Sequence, residues 1–409
     1  LRIGLVMFLM GLLLVACEEK EEKQQAPELV GIDMDAKKVT IGALNDESGP
    51  AATIGKPYAV GKRLLAKAVN EGDLDILPEG WTVELVEKDH GYNPQKARQH
   101  YDAIKKRVLF IATSFGTPNT LPLVSELEKS GIVAYPASLS SELAQHRYTP
   151  PLGPSYKVEA MRALDWAVEK AGGADEMKVG IVYQQDDYGK DGLEGLRESA
   201  KHHDVEIVSE QAIAPGQTDV TAAISALKDA DANYVLLTTL PSTTGPILGT
   251  AAQLKYQPTW IGNTPAWIDA FFDPETIPSA VFGDFYWATG LPYWGEEDVG
   301  GMKDFLKVYE KYGEEMAKPD FYILASYGQG LVELEALRRA IEKGEPVTRE
   351  AYLEAMQSIE DYDASGMFQA IDLSEFPYET SDQTRILRPK MEDKTWEEVA
   401  PYASPEAAD

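Results

Sequence analysis

The chain contains 409 residues, of which 44% are hydrophobic and one is cysteine, and its formal net charge at pH 7 is −29. A single cysteine excludes a disulfide framework, so the fold must be held by an apolar core, which a chain of this length can divide between two lobes. So acidic a surface repels phosphates, and we therefore expect no nucleic-acid partner.

The amino terminus has the features of an export signal followed by a lipid-attachment site. Arg2 precedes an uncharged apolar run at residues 3–15. A bilayer-spanning helix needs about 20 residues, so this run fits the apolar region of a signal peptide instead. Residues 14–17 (LVAC) resemble the lipobox of bacterial lipoproteins, in which the cysteine is acylated and becomes the first residue after cleavage. We expect residues 1–16 to be a lipoprotein signal peptide, Cys17 to carry the lipid, and residues 17–37 to form a charged tether.

From residue 39 onward, short apolar strands alternate with amphipathic helices. The first series has predicted strands at 39–44, 81–89, 108–112 and 131–136, with helices between them. A second series of similar size has strands at 178–184, 205–211, 233–239 and 258–262. This alternation indicates βαβ units, and two such series predict an α/β fold class with two doubly wound parallel-sheet lobes.

The composition changes after residue 284. Three helices are predicted at 301–317, 322–343 and 348–359, and two antiparallel strands at 367–375 and 383–390. The helices need a sheet face to cover, and the first lobe is the best candidate. The predicted domains are therefore discontinuous, and the chain crosses between them several times. Lobe 1 takes residues 38–153 and 286–362, and lobe 2 takes residues 154–285 and 363–400.

Five loops follow predicted strands and precede helices, and most are rich in hydroxyl groups. They lie at residues 45–55, 113–120, 136–141, 184–192 and 238–245. The carboxyl ends of parallel strands are where doubly wound sheets bind ligands, and helix starts suit carboxylates. Each Ser or Thr could instead cap its own helix. For the loops taken together, a shared ligand cleft is the better interpretation.

The same loops carry a resemblance to a known family. The motifs are SGPAATIGKPYAVG (48–61), EKDHGYNPQKA (87–97), SFGTPNT (114–120), VYQQDDYGKDGLEGL (182–196) and the segment 215–237. In order and spacing the chain resembles type I periplasmic solute-binding proteins of the branched-chain amino acid (leucine/isoleucine/valine) family of ABC importers. The resemblance implies two lobes joined by three crossovers. It also implies a small-molecule solute held between them, no cofactor, and delivery to a permease powered by a separate ATPase.

The resemblance also implies the site residues. In the family, the loops after the third and fourth strands hold the solute's carboxylate, and other loops supply side chains around its body. Carried over by position, the predicted ligand-binding residues are Ile54, Ser114, Gly116, Thr117, Ala137, Ser138, Ser140, Tyr188, Thr239, Thr264 and Trp267.

One departure concerns the solute's ammonium group. Amino-acid-binding members use an acid in the loop after the fourth strand of the second lobe, where this chain has IGNTPAW (261–267). A buried ammonium without a carboxylate is costly. Either Asp187, Glu47 or Asp269 replaces that acid, or the solute lacks an α-ammonium, as in an aromatic or aliphatic carboxylate or an amide. The second option is favoured.

Other functions are weighed against this interpretation. No G-x-S-x-G, HExxH or C-x-x-C motif supports an enzyme. A ligand-sensing lipoprotein of the same fold that signals to a partner remains the alternative. The adjacent His202 and His203 have no i,i+4 ligand partner and are predicted to be a solvated helix end rather than a metal site. We expect an exported monomer, anchored by its lipid to a membrane in the periplasm or at the cell surface.

Overall fold

The computed structural model describes residues 29–408 and shows two α/β lobes, each built on its own sheet. This confirms the predicted fold class. The predicted signal peptide, Cys17 and the tether up to residue 28 lie outside the described residues. Of the helices within residues 29–408, none has both the length and the apolar character to cross a bilayer.

The first lobe contains a mainly parallel sheet in the order β3-β2-β4-β5, with β1 paired antiparallel to the start of β2. Its elements are β1 Ile32–Asp33, β2 Lys38–Asn45, α1 Ala52–Asn70, β3 Thr82–Asp89, α2 Pro94–Ile104, β4 Ile111–Phe115, α3 Thr117–Thr120, α4 Val124–Ser130, β5 Ala134–Ala137 and α5 Ser141–Ala144. β2 and β4 are buried almost throughout because neighbouring strands and helices cover them.

The second lobe contains a seven-stranded sheet in the order β12-β11-β10-β9-β8-β6-β7. Its elements are α6 Tyr156–Ala171, β6 Lys178–Gln184, α7 Asp187–His203, β7 Glu206–Ile213, α8 Thr221–Asp229, β8 Tyr234–Thr238, α9 Pro241–Gln253, β9 Thr259–Gly262 and β10 Phe285–Thr289, followed later in the chain by β11 Thr384–Lys390 and β12 Thr395–Ala403. The strands from β6 to β10 are parallel, and β11 and β12 are antiparallel additions.

Between β10 and β11 the chain returns to the first lobe with α10 Met302–Val308, α11 Phe321–Glu342 and α12 Arg349–Met356. α11 packs closely along α1, since a Cβ atom at Gly61 would lie 2.5 Å from the carbonyl oxygen of Ile323. α12 is fixed to the first sheet by Tyr352. Its ring stacks on Phe110 at 4.4 Å, and its hydroxyl lies 2.9 Å from that of Tyr135.

Two sequence-based boundaries need correction. The predicted change of lobe between residues 285 and 286 falls inside β10, so the chain leaves the second sheet only after Thr289. The antiparallel partners of β11 are β10 and β12, not residues 367–375, which contribute a single bridge from Ile371 to Tyr362. β12 was missed because it lies at an exposed sheet edge, where only Trp396 and Ala400 of its nine residues are buried and no regular alternation results.

Two helices that border both lobes begin at side-chain caps. Ser155 Oγ accepts the backbone N–H of Val158 at 3.1 Å, and Asp320 Oδ1 accepts that of Tyr322 at 2.9 Å. Each cap fixes the residue at which its helix begins. The first residues of α6 and α11, Tyr156 and Phe321, are therefore held between the lobes.

A buried ion pair joins α1 to α11. Lys62 Nζ contacts Glu333 Oε1, and the two side chains are 1% and 0% exposed. Burial lowers the pKa of Lys62 and raises that of Glu333. The other oxygen, Glu333 Oε2, has no hydrogen-bond partner. Each charge therefore depends on the other for compensation inside the lobe.

Removing one member of this pair should destabilise the protein strongly. We expect Lys62→Met to lower the free energy of unfolding by about 3–5 kcal/mol, because Glu333 is left buried without a counter-charge. Lys67→Met on the same helix removes a solvent-exposed pair with Glu71 and should have little effect. Urea unfolding of both variants tests this, and equal stabilities would contradict it. The double variant Lys62→Met/Glu333→Leu should recover much of the loss.

Candidate functional site

The loops at the carboxyl ends of both parallel sheets enclose a cleft between the lobes. The cleft has a cavity volume of about 80 Å³, which is enough for several waters. The first lobe contributes Ile54, Tyr58, Tyr92, Phe115, Gly116, Thr117, Pro136, Ala137, Ser138, Leu139, Phe321, Tyr322, Ala325 and Gln329. The second lobe and the crossovers contribute Leu152, Tyr156, Tyr188, Leu240, Thr264, Pro265, Leu291 and Phe368.

Most of the residues predicted from the sequence lie together in this cleft. Those that line it are Ile54, Gly116, Thr117, Ala137, Ser138, Tyr188 and Thr264. They come from loops that are up to 210 residues apart in the chain. The structure brings them together because each loop follows a parallel strand.

Three predicted hydroxyl residues do not line the cleft. Ser114 Oγ lies 2.8 Å from Thr120 Oγ1, and Thr239 Oγ1 lies 2.7 Å from Thr244 Oγ1. Ser140 is buried, and its backbone N–H donates to Ser138 Oγ. Ser114 and Thr239 therefore tie the ends of their strands to residues of the helices that follow, and none of the three hydroxyls makes a helix-capping bond.

Trp267 also lies outside the cleft, in an aromatic cluster. Its ring packs against Phe272 and Trp396 at centroid distances of 4.9 and 4.6 Å, and its Nε1 donates to Asp269 at 3.0 Å. It is completely buried. Trp267 therefore stabilises the second lobe by packing rather than by contacting a solute.

The hydroxyl groups of the cleft cluster at one end. Thr117 Oγ1 and Ser138 Oγ are 2.7 Å apart, and the Tyr156 hydroxyl interacts with Ser138. The Tyr156 ring lies edge-on to that of Tyr188 at 4.7 Å. Tyr188 in turn donates to Asn263 Oδ1 at 2.9 Å and to the Thr239 carbonyl at 3.2 Å. The hydroxyls of Thr117, Ser138 and Tyr156 therefore form the polar end of the cleft, whereas the single proton of Tyr188 is already donated within the second lobe.

The rest of the lining is mainly apolar, and the sequence did not single it out. Leu139, Leu152 and Leu291 come from loops and crossovers, whose residues show no periodic pattern. On α11, Phe321 and Gln329 share one face because they are two helical turns apart. That spacing is the one signal from which part of this lining could have been found.

None of the three acids proposed to pair an ammonium group lines the cleft. Asp187 is exposed in the first turn of α7. Glu47 pairs with Arg63 at 2.7 Å, and Asp269 accepts the Phe321 N–H at 2.8 Å. Within residues 29–408, the lining of the cleft includes no Asp, Glu, Lys, Arg or His. A solute therefore meets only neutral groups.

Sequence reasoning missed one acid directly behind the lining. Glu159 on α6 is fully buried, and its carboxyl is bonded to the hydroxyl of Thr264 and to its backbone N–H at 3.0 Å. Burial raises the pKa of Glu159 to about 8. The carboxyl is therefore mainly protonated at neutral pH, and the Thr264 hydroxyl continues the chain of bonds to Thr289 Oγ1 at 2.9 Å.

Several hydrogen bonds join the two lobes, including those of Tyr92, of Ser242 and between Ser141 and Asp191. The Tyr92 hydroxyl of the first lobe donates to Asp186 Oδ2 at 3.2 Å and accepts Gln184 Nε2 at 3.1 Å. Ser242 Oγ of the second lobe donates to the Pro50 carbonyl at 3.0 Å. The structure is therefore a closed form of the two lobes.

The buried carboxyl of Glu159 should give stability a distinctive pH dependence. Its folded pKa is raised from 4.5 to about 8, so its contribution is fully present below pH 4.5 and is lost as pH rises through about 8. Glu159→Gln keeps the shape of the protonated group without titrating. The variant should gain stability over the wild type between about pH 5 and about pH 9, by up to roughly 1.4 kcal/mol per pKa unit.

Urea unfolding of both proteins across this pH range measures the difference. Glu169→Gln, which changes an exposed acid on the same helix, controls for the altered net charge. A wild-type and a Glu159→Gln protein that differ by the same amount at every pH would contradict the expectation.

Comparison with solved structures supports the description of the fold. A fatty acid ABC transporter substrate-binding protein from Thermomonospora curvata superimposes with a TM-score of 0.85 at 24% identity, covering 93% of this chain and 95% of the other. A branched-chain amino acid ABC transporter protein from Thermus thermophilus with bound valine gives 0.79 at 22%, covering 90% and 97%. A leucine-binding protein from Thermotoga maritima gives 0.73 at 18%, covering 90% and 99%. At these identities the likeness establishes the fold alone.

The sequence comparisons identify the family. No curated protein matches the chain by sequence. The family model described as periplasmic binding protein matches residues 38–377, which is most of the chain. The chain therefore belongs to the periplasmic binding protein family, and it is an extracytoplasmic solute-binding protein rather than an enzyme.

Proposed function

We propose that the protein captures a small carboxylate with an aliphatic or aromatic body and presents it to an ABC permease driven by a separate ATPase. In this proposal it acts as a monomer held at the membrane by a lipid on Cys17. The two lobes are joined by three crossovers and close around the solute. The chain passes from lobe 2 to lobe 1 after Thr289 rather than after residue 285.

The observation that carries the solute class is the neutrality of the cleft. Its described lining has one hydroxyl-rich end and otherwise mainly apolar side chains, with no Asp, Glu, Lys, Arg or His. A zwitterionic amino acid would bury two charges without a counter-charge for either, and such burial is costly. A monocarboxylate needs only one polar end, and hydroxyl donors such as Thr117 and Ser138 favour the charged form of a carboxylate.

The acid behind Thr264 does not change this argument. Glu159 lies behind Thr264, and the elevated pKa of its carboxyl leaves it mainly neutral near pH 7. A neutral carboxyl cannot supply the negative charge that an ammonium group requires. An α-ammonium is therefore a poor fit for this cleft.

The names of the solved structures include both candidate solutes. The Thermomonospora curvata protein is named for fatty acids, and the Thermus thermophilus structure holds valine. A fatty acid is an aliphatic carboxylate without an ammonium group, which agrees with a neutral, mainly apolar cleft. Valine is the competing solute that an experiment must distinguish.

Thermal-shift measurements with a panel of solutes test the proposal. A solute that binds only the folded protein stabilises it by about 2.7 kcal/mol at 100 times its Kd. We expect aliphatic or aromatic monocarboxylates to raise the melting temperature and leucine and valine to have little effect. A strong shift with leucine or valine alone would overturn the solute class, and turnover of a substrate would overturn the binding function.

A matched pair of variants then locates the solute. Thr117→Val removes a hydroxyl from the polar end of the cleft and should weaken carboxylate binding by about 10–100-fold, the loss expected for a hydrogen bond to a charged group. Thr239→Val makes the same chemical change at a hydroxyl that bonds Thr244 outside the lining. It should leave the affinity unchanged. Equal losses in both variants would contradict the assigned position.

The lipid anchor is tested separately, in the exporting bacterium. We expect the mature protein to begin at Cys17 with added acyl mass and to partition into the detergent phase, because two or more chains anchor stably. Cys17→Ser should lack the added mass and remain in the aqueous phase. Ala16→Gly keeps a small residue before the cysteine and should remain lipidated. An unmodified Cys17 in the mature wild-type protein would refute the anchor.

A further inference from the structure

A cluster of potential metal ligands lies on the second lobe, where α7 ends. It consists of His202, His203 and Glu406, and one ligand atom from each lies within 4.8 Å of the others. A helix alone directs adjacent side chains about 100° apart. The carboxyl-terminal turn that carries Glu406 returns to the end of α7, so a third ligand from 203 residues later in the chain lies near both imidazoles.

The position of His203 is fixed by a buried carboxylate. The Nε2 atom of His203 lies 2.7 Å from Asp165 Oδ1, and Asp165 is only 5% exposed. The same carboxylate accepts the Ser199 hydroxyl at 3.0 Å and, through Oδ2, the backbone N–H of Glu406 at 2.8 Å. Asp165 therefore orients one imidazole and also holds the turn that carries the third ligand.

This is the arrangement that surrounds metal-binding histidines. Such a histidine usually donates one ring N–H to a carboxylate, which fixes the ring and leaves the other nitrogen free to coordinate. A cluster of exposed acids does not by itself contain an imidazole held by a buried carboxylate. The Asp165–His203 contact is therefore a feature separate from the high negative charge of the chain. His202 and Glu406 have side chains that are 46% and 68% exposed, so both can move toward a shared ion.

We propose that His202, His203 and Glu406 bind a borderline divalent transition-metal ion, with Zn²⁺ as the representative. Two imidazoles and a carboxylate suit this class of ion, and water can complete the coordination. The ligand atoms must approach to roughly 3.3 Å from one another around a tetrahedral ion. The bound ion ties the carboxyl-terminal turn to the end of α7. None of the three residues lines the solute cleft.

Titration of the full, untagged chain with Zn²⁺ by calorimetry at physiological salt tests the site. We expect one ion per molecule, with the affinity reduced at least tenfold in His203→Ala and in Glu406→Gln. His146→Ala changes a partly exposed histidine that pairs with Glu142 in the first lobe, and it should leave the affinity unchanged. Glu406→Gln leaves the Asp165–His203 bond in place, so it remains informative if His203→Ala folds poorly.

A second measurement follows the carboxyl-terminal turn. Hydrogen exchange at residues 404–408 should slow on addition of Zn²⁺ in the wild type and not in Glu406→Gln. Ca²⁺ serves as the probe for adventitious binding by surface carboxylates, because it prefers oxygen ligands. Zn²⁺ binding that is no tighter than Ca²⁺ binding, or that is equal in wild type, His203→Ala and Glu406→Gln, would overturn the proposal.

Discussion

The whole site depends on one constraint, which is that the strands before each cleft loop are parallel. Parallel strands end at the same edge of their sheet, so Thr117 after β4 and Ser138 after β5 come within 2.7 Å of one another. The crossovers then turn the corresponding edge of the second sheet toward them, and Tyr188 at the start of α7 lies against Tyr156 of the polar end. No single loop could form this site, because its lining is drawn from both lobes.

The protein keeps ionisable groups near the cleft but not in it. Tyr58 lines the cleft and bonds Gln329, which lies one helical turn before Glu333 of the buried pair with Lys62. On the other side, Thr264 separates the solute space from Glu159, whose carboxyl holds the Thr264 hydroxyl and backbone N–H. In both places a neutral hydroxyl or amide, and not the acid, lines the cleft. A rigid, neutral surface follows, and it suits a solute whose body is apolar.

The sequence was sufficient to predict the fold and the loops, and it was insufficient to distinguish roles within a loop. β6 was predicted with its bounds correct because a short apolar run rich in Val and Ile is typical of a buried parallel strand. Ser114 and Thr117 fall in one predicted loop and are chemically similar. Thr117 nevertheless lines the cleft, whereas Ser114 bonds Thr120. Which way each points depends on packing around the strand end. The Glu159–Thr264 and Asp165–His203 contacts were missed because each joins distant parts of the chain.

Closure of the lobes must be reversible if a solute is to be released, and the contacts at the mouth are consistent with that. Tyr92 and Ser242 make polar contacts across the mouth, and such hydrogen bonds contribute about 0.5–1.5 kcal/mol each after competition with water. Burying a solute body of about 150–250 Å² contributes roughly 4–6 kcal/mol at 25 cal/mol per Å². Burial of a solute therefore contributes to closure by an amount comparable to that of the hydrogen bonds between the lobes. A ligand shifts the equilibrium between open and closed lobes only by its differential affinity for the closed form. Because the apolar cleft is complete only on closure, binding of a solute favours the closed conformation. That conformation is the one that the proposed permease would meet.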